Sequence, residues 1–159
     1  MSLRLVRIDD RLIHGQVVTG WLRALGARRI VIVDDATARD EFLREVLTLA
    51  APQDVAVEVL DVAAGAARCL ELAAGPEPVM VLARSPRTVL AMRRAGVPID
   101  VVDLGGMGAG PDRQRIHKTI SMSPAEVADV RQLEQLGTRV EIQIVVDDRP
   151  IPFPSRGEG

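Results

Sequence analysis

Ile30-Val31-Ile32-Val33 and Val79-Met80-Val81-Leu82 are apolar at every position. Successive side chains of a strand point to opposite faces, so such runs need cover on both sides, as in a parallel sheet buried between helices. Working outward, short runs rich in β-branched residues occupy positions 3–8, 29–33, 56–60, 79–83, 101–104 and 140–146, and longer stretches with helical spacing separate them. This alternation predicts an α/β fold: one domain with a doubly wound, mainly parallel β-sheet and helices on both faces. The domain is expected over 1–148. An extended tail is expected over 149–159, where Pro150, Pro152, Pro154, Gly157 and Gly159 crowd together.

Helix boundaries follow from capping chemistry. Thr37 with Asp40, and Ser123-Pro124 with Glu126, place a capping oxygen and an acid three residues later, and Ser85-Pro86 is a third start of this kind. Gly96 and Gly137 follow helical stretches where a left-handed residue ends a helix. Phe42, Val46 and Leu49 recur at helical spacing, as do Val127, Val130 and Leu133, and both stripes are expected to face the core.

The 159 residues, 47% hydrophobic, suffice for one core. Twenty basic and 22 acidic residues, mixed along the chain, give a net charge of −2, which predicts no nucleic-acid partner. All the basic residues but Lys118 are arginine, and the chain is also rich in alanine, so genomic base composition accounts for the bias. The single cysteine, Cys69, lies in an alanine-rich helical stretch and reads as a core residue in a reducing compartment. No stretch of 18 uninterrupted apolar residues and no signal-peptide run occurs, so the expectation is a cytoplasmic protein without direct membrane insertion.

The chemistry concentrates in Arg7-Ile8-Asp9-Asp10-Arg11-Leu12-Ile13-His14-Gly15-Gln16, just after the first strand. Ligands of open α/β sheets gather at the carboxyl ends of strands, and a helix over 15–25 would put His14 at an amino end whose free N–H groups favour phosphate. Histidine is part nucleophile at neutral pH; Arg7 and Arg11 are candidates to hold a phosphoryl group, and Asp9 or Asp10 to fix the imidazole tautomer. At least one of the two acids must then turn away from the phosphate. Residue chemistry alone leaves open that His14 is an ordinary helix-start histidine. Gly15, Gly105 and Gly106 are the candidate substrate-binding positions, the last two within Gly105-Gly106-Met107-Gly108-Ala109-Gly110, read as a flexible rim that lacks the Gly-Lys-Ser/Thr ending of a nucleotide loop. Arg113, Arg115 and Lys118 are possible contacts for a phosphate or a docking protein, although solvated loop charge is the simpler account of each. His117 reads as an exposed structural residue. Two histidines, one cysteine and no tight carboxylate cluster make no metal-ligand set, and no cofactor is expected.

The stretch from Arg7 to Trp21 resembles the active-site segment of phosphotransferase-system IIB subunits of the mannose/fructose/sorbose family. Further agreement follows in order: Ile30 to Asp35 with Ala38 and Asp40, Ala50-Ala51-Pro52, Gly96-Val97-Pro98, Gly105-Gly106-Met107, and Leu136-Gly137 before the last strand. After Met107 this chain departs from the family's lysine-containing continuation with Gly108-Ala109-Gly110-Pro111-Asp112. The resemblance implies a phosphocarrier. His14 would accept a phosphoryl group on its δ nitrogen from the phosphohistidine of a IIA protein, with the ε nitrogen left for a hydrogen bond and Arg11 and Arg7 steadying the phosphate. The phosphoryl group would then pass to a sugar entering through IIC/IID membrane subunits. The alternative function is a regulatory phosphoprotein whose phosphorylated His14 is read by a partner without sugar transport.

Overall fold

The computed structural model describes residues 2–154. Strands β1 (Leu3–Asp9), β2 (Arg29–Val33), β3 (Ala56–Leu60), β4 (Val79–Ala83), β5 (Val101–Gly106) and β8 (Arg139–Ile142) pair in parallel in the order β3-β2-β4-β1-β5-β8. The two short strands β6 (Gln114–His117) and β7 (Ile120–Met122) form a separate antiparallel ribbon. The opening stretches behave as their composition requires. Ile30, Ile32, Met80 and Leu82 face one apolar layer with Val18, Trp21 and Leu22 of α1 (Gly15–Leu25) and Leu47 of α3 (Glu41–Ala50). Val31, Val33, Val79 and Val81 face the other, made by α4 (Val62–Ala74), α5 (Pro86–Arg94) and α6 (Pro124–Gln135). The predicted doubly wound architecture is the one observed.

Ser85 caps α5, and Ser123 with Glu126 forms a complete capping box on α6. Gly96 and Gly137 take the left-handed backbone after their helices, at φ 101° and 94°. Three expectations need correction. Asp34, not Thr37, starts the single-turn α2 (Asp35–Ala38); Thr37 is buried with its hydroxyl donating to Asp34, and Asp40 itself caps α3. The expected strand over 140–146 ends at Ile142, because Gln143 and Ile144 turn their carbonyls to a buried arginine.

The third correction concerns α3. Val130 and Leu133 are buried on α6, but Phe42 and Leu49 are 76% and 77% exposed. The helix lies over the sheet's edge strand β3 and needs only Leu43 and Leu47 for cover, so the second apolar stripe remains outside. At the opposite edge, the start of the expected tail is extended yet docked. Strand β9 (Ile151–Pro152) pairs antiparallel with β8, and Phe153 is buried beneath the Arg131 guanidinium. Residues 155–159 of that tail lie outside the described residues. Cys69 is wholly buried, and burial pushes its thiol up to about 11, so it stays protonated as a core residue.

Candidate functional site

Strand β1 lies between β4 and β5, and at its carboxyl end the chain turns sharply before α1. Leu12 adopts a left-handed backbone at φ 57°, unusual for a branched side chain, and both Leu12 and Ile13 are buried in the apolar layer beneath α1. That conformation costs on the order of 1 kcal/mol, offset by two buried side chains. Consequently His14 emerges at the amino end of α1 with 24% of its side chain exposed. It occupies the N-cap position without a capping bond from its side chain, and no acid lies in the first helical turn to compete for the N–H groups there.

One carboxylate organises the surroundings. Asp9 is fully buried, and its Oδ2 lies 3.1 Å from Nε2 of His14. Its Oδ1 accepts from the Arg11 backbone N–H at 3.0 Å and from Nε of Arg11 at 3.1 Å. Burial raises the Asp9 carboxyl, but the hydrogen bonds and charge of Arg11, helped by the charge of Arg7, outweigh it and leave the group below its ordinary value of 3.8. A carboxylate can only accept, so it fixes the proton of the neutral imidazole on Nε2 and leaves the Nδ1 lone pair outward. Asp10 is the acid that turns away: it accepts from the Gly108 N–H at 2.7 Å and from Arg113 at 2.9 Å.

The depressed carboxyl has a measurable consequence. The stability contributed by Asp9 is complete above about pH 4 and is lost as pH falls through its lower folded value. Urea unfolding from about pH 5 downward is expected to show this acid loss, and Asp9→Asn is expected to flatten it.

Arg7 lies elsewhere than expected. It is 1% exposed, and Nη1 meets Asp103 at 2.5 Å and the Gln143 carbonyl at 2.9 Å. Nη2 meets Asp9 at 3.3 Å and the Ile144 carbonyl at 2.8 Å, and the guanidinium is 5.5 Å from the centre of the Trp21 ring. With these acceptors engaged below the surface, Arg7 positions Asp9 instead of steadying a phosphate. Arg11, with 53% of its side chain exposed, remains the arginine available to a ligand.

Gly105 and Gly106 are likewise corrected. They are buried residues of β5 and not a flexible rim. A Cβ on Gly105 would stand 2.0 Å from Cζ of Arg7, and one on Gly106 would stand 2.9 Å from both Arg11 and Asp9. They are glycines because charged groups lie across them. Gly15 does open α1, at φ 49°.

Asp103 was not singled out by the sequence reading. It lies in β5, 4% exposed, and burial pushes its carboxyl up to about 7 against the pull of Arg7. The available signal was an acid inside the apolar run Val101-Val102-Asp103-Leu104, since a charge in a covered strand needs a buried partner. Arg113 bridges Asp10 and Glu126, so neither it nor the exposed Arg115 joins His14. His117 ends β6 opposite Ile120 and is half-buried, not the exposed residue expected, and Lys118 lies at the β6–β7 turn.

A family model described as the PTS system sorbose subfamily IIB component matches residues 3–155. The sorbose-specific EIIB component of Klebsiella pneumoniae is 36% identical over 93% of this chain and 90% of its own length. The crystal structure of the IIBSor domain of the sorbose permease from that organism superposes with a TM-score of 0.90 over 96% of this chain and 93% of its own. The fructose-specific EIIB component of Bacillus subtilis is 31% identical over 96% of this chain and 94% of its own length. Matching over nearly the whole fold, this chain belongs to the sorbose subfamily of IIB components of the sugar phosphotransferase system, whose role is phosphotransfer in sugar uptake.

Proposed function

We propose that His14 is the phosphoryl carrier of this IIB component, using Nδ1 as the nucleophile. The observation that carries the proposal is the 3.1 Å contact between Nε2 and Asp9, which assigns the ring's proton to the inner nitrogen and the lone pair to the outer one. Nδ1 attacks the phosphorus of a phosphohistidine on a IIA protein. As the new N–P bond forms, the donor's N–P bond breaks and its electron pair returns to the donor ring. The first-turn N–H groups of α1, Gly15 included, and the Arg11 guanidinium supply the electrostatic stabilisation that phosphoryl transfer requires. In the second step a sugar hydroxyl attacks the phosphorus, the Nδ1–P bond breaks and the hydroxyl proton departs with solvent or a base of the acceptor complex. No metal is required.

The mannose-specific relative from Escherichia coli is an EIIAB component, 33% identical over 93% of this chain, which spans 46% of its length. A IIA domain joined to a IIB domain supports a IIA protein as the donor here. The acceptor side is assigned to IIC/IID membrane subunits and their sugar. Among the described residues no helix is long and apolar enough to cross a membrane, which fits a cytoplasmic subunit that meets those partners from outside the bilayer.

The test is phosphorylation from phosphoenolpyruvate through the general phosphotransferase proteins and a cognate IIA. One acid-labile, base-stable phosphate is expected on this chain, and none on His14→Ala. Undiminished labelling of that variant overturns the assignment. Arg11→Ala is expected to fold normally and to transfer about tenfold or more slowly, since a partly exposed charge-assisted contact is worth about 1.5–3 kcal/mol. An unchanged rate would remove Arg11 from the site. Adding membranes bearing IIC/IID and a panel of hexoses separates sugar transport from the regulatory alternative, in which the label persists.

A further inference from the structure

Strand β8 ends at Ile142 on the same carboxyl side of the sheet as His14, and there the chain bounds a cavity of about 190 Å³. Ile142, Ile144 and Ile151 give it an apolar part, and His117, Lys118 and Arg149 surround it with cationic or titratable groups. We propose that this cavity binds a small phosphomonoester dianion, either inorganic phosphate or a sugar phosphate.

Two observations support this independently of His14. Among the described residues, His117, Lys118 and Arg149 make no ion pair or side-chain hydrogen bond, whereas Arg7 and Arg113 near the β1 edge are each paired with two carboxylates. The fourth charged lining residue, Asp148, is turned to the chain, its carboxylate accepting from the Val145 N–H at 3.3 Å, and the lining remains net positive.

Size and donor count decide the ligand class. The cavity is smaller than the roughly 300 Å³ at which drug-sized ligands begin, which favours a small ligand over a nucleotide. A guanidinium fork, an ammonium and an imidazole offer donors to the three terminal oxygens of a phosphomonoester, one more than a carboxylate presents. The isoleucines leave room for a short carbon skeleton beside the charge. Strand carboxyl ends are also where ligands of open α/β sheets collect.

The chain's two histidines make the test readable, because NMR of their ring protons separates His117 from His14 once His117→Gln assigns the signals. Titration with inorganic phosphate and with fructose 6-phosphate is expected to move the His117 signals saturably in the millimolar range or below, while neutral fructose leaves them in place. Tighter binding of the ester assigns the sugar phosphate; equal binding assigns phosphate alone. Lys118→Ala combined with Arg149→Ala, checked for native circular dichroism, is expected to weaken the effect about tenfold or more. Movement of His14 alone, or an undiminished His117 response in the double variant, overturns the proposal. A His14→Ala protein retains the His117 response, so failure of the phosphocarrier assignment and failure of this site are distinguishable.

Discussion

Gly105→Ala is expected to disable the protein by unfolding its charged interior. The added methyl would stand 2.0 Å from Cζ of Arg7 and 2.2 Å from Nη2, and the guanidinium cannot yield without lengthening its bonds to Asp103, Asp9 and the Gln143 and Ile144 carbonyls. Moving Arg7 strips Asp103 and Asp9 of their buried cation, and breaking a buried pair from one side costs about 3–5 kcal/mol. That is a large part of the 5–15 kcal/mol typical of a folded domain. Urea unfolding is the measurement: a midpoint within error of wild type would show that Arg7 is not held as described. Arg7→Met, which removes the cation and leaves β5 untouched, is expected to cost a similar amount. Their combination is expected to cost much less than the sum, since both remove one interaction.

Asp9→Asn is expected to leave a folded protein whose phosphotransfer from phosphorylated IIA falls by about 10²- to 10⁴-fold, the scale on which loss of a tautomer-fixing carboxylate acts in histidine catalysis. The amide can donate its own hydrogen to Nε2, which moves the ring proton outward to Nδ1 and blocks the nucleophilic lone pair. Rapid-quench transfer measures the effect. An unimpaired rate would separate Asp9 from catalysis, whereas slow transfer by a variant that still unfolds in one cooperative transition, at a lower urea midpoint than wild type at neutral pH, distinguishes tautomer control from collapse.

The fold was legible because hydrophobic pattern and capping chemistry are local. Four apolar residues in a row at 30–33 and 79–82 require cover on two faces wherever they lie, and Ser123 with Glu126 makes a helix start from neighbours alone. Position within the sheet is not local. The stripe Phe42, Val46 and Leu49 has the spacing of a core face, and only the placement of α3 over an edge strand shows that Leu43 and Leu47 complete the cover. The candidate site divides in the same way. His14, Asp9 and Arg11 lie within six residues, so their association is written in one segment. Arg7 was assigned to the phosphate because its partners Asp103, Gln143 and Ile144 lie about a hundred residues or more away in sequence, invisible until β5 and β8 are placed beside β1. The glycines at 105 and 106 carried the same ambiguity, since mobility and close approach both call for a missing side chain.

The buried guanidinium also governs how this edge can open. Its acceptors belong to β1, to β5 and to the segment after β8, so releasing any one of these strands a charge in apolar surroundings. Fraying one strand at a time is therefore disfavoured, and amide hydrogens along this seam are expected to exchange with solvent mainly through opening of the whole domain. The histidine's surroundings are accordingly built before any partner arrives, and the encounter need not supply the entropy of assembling them.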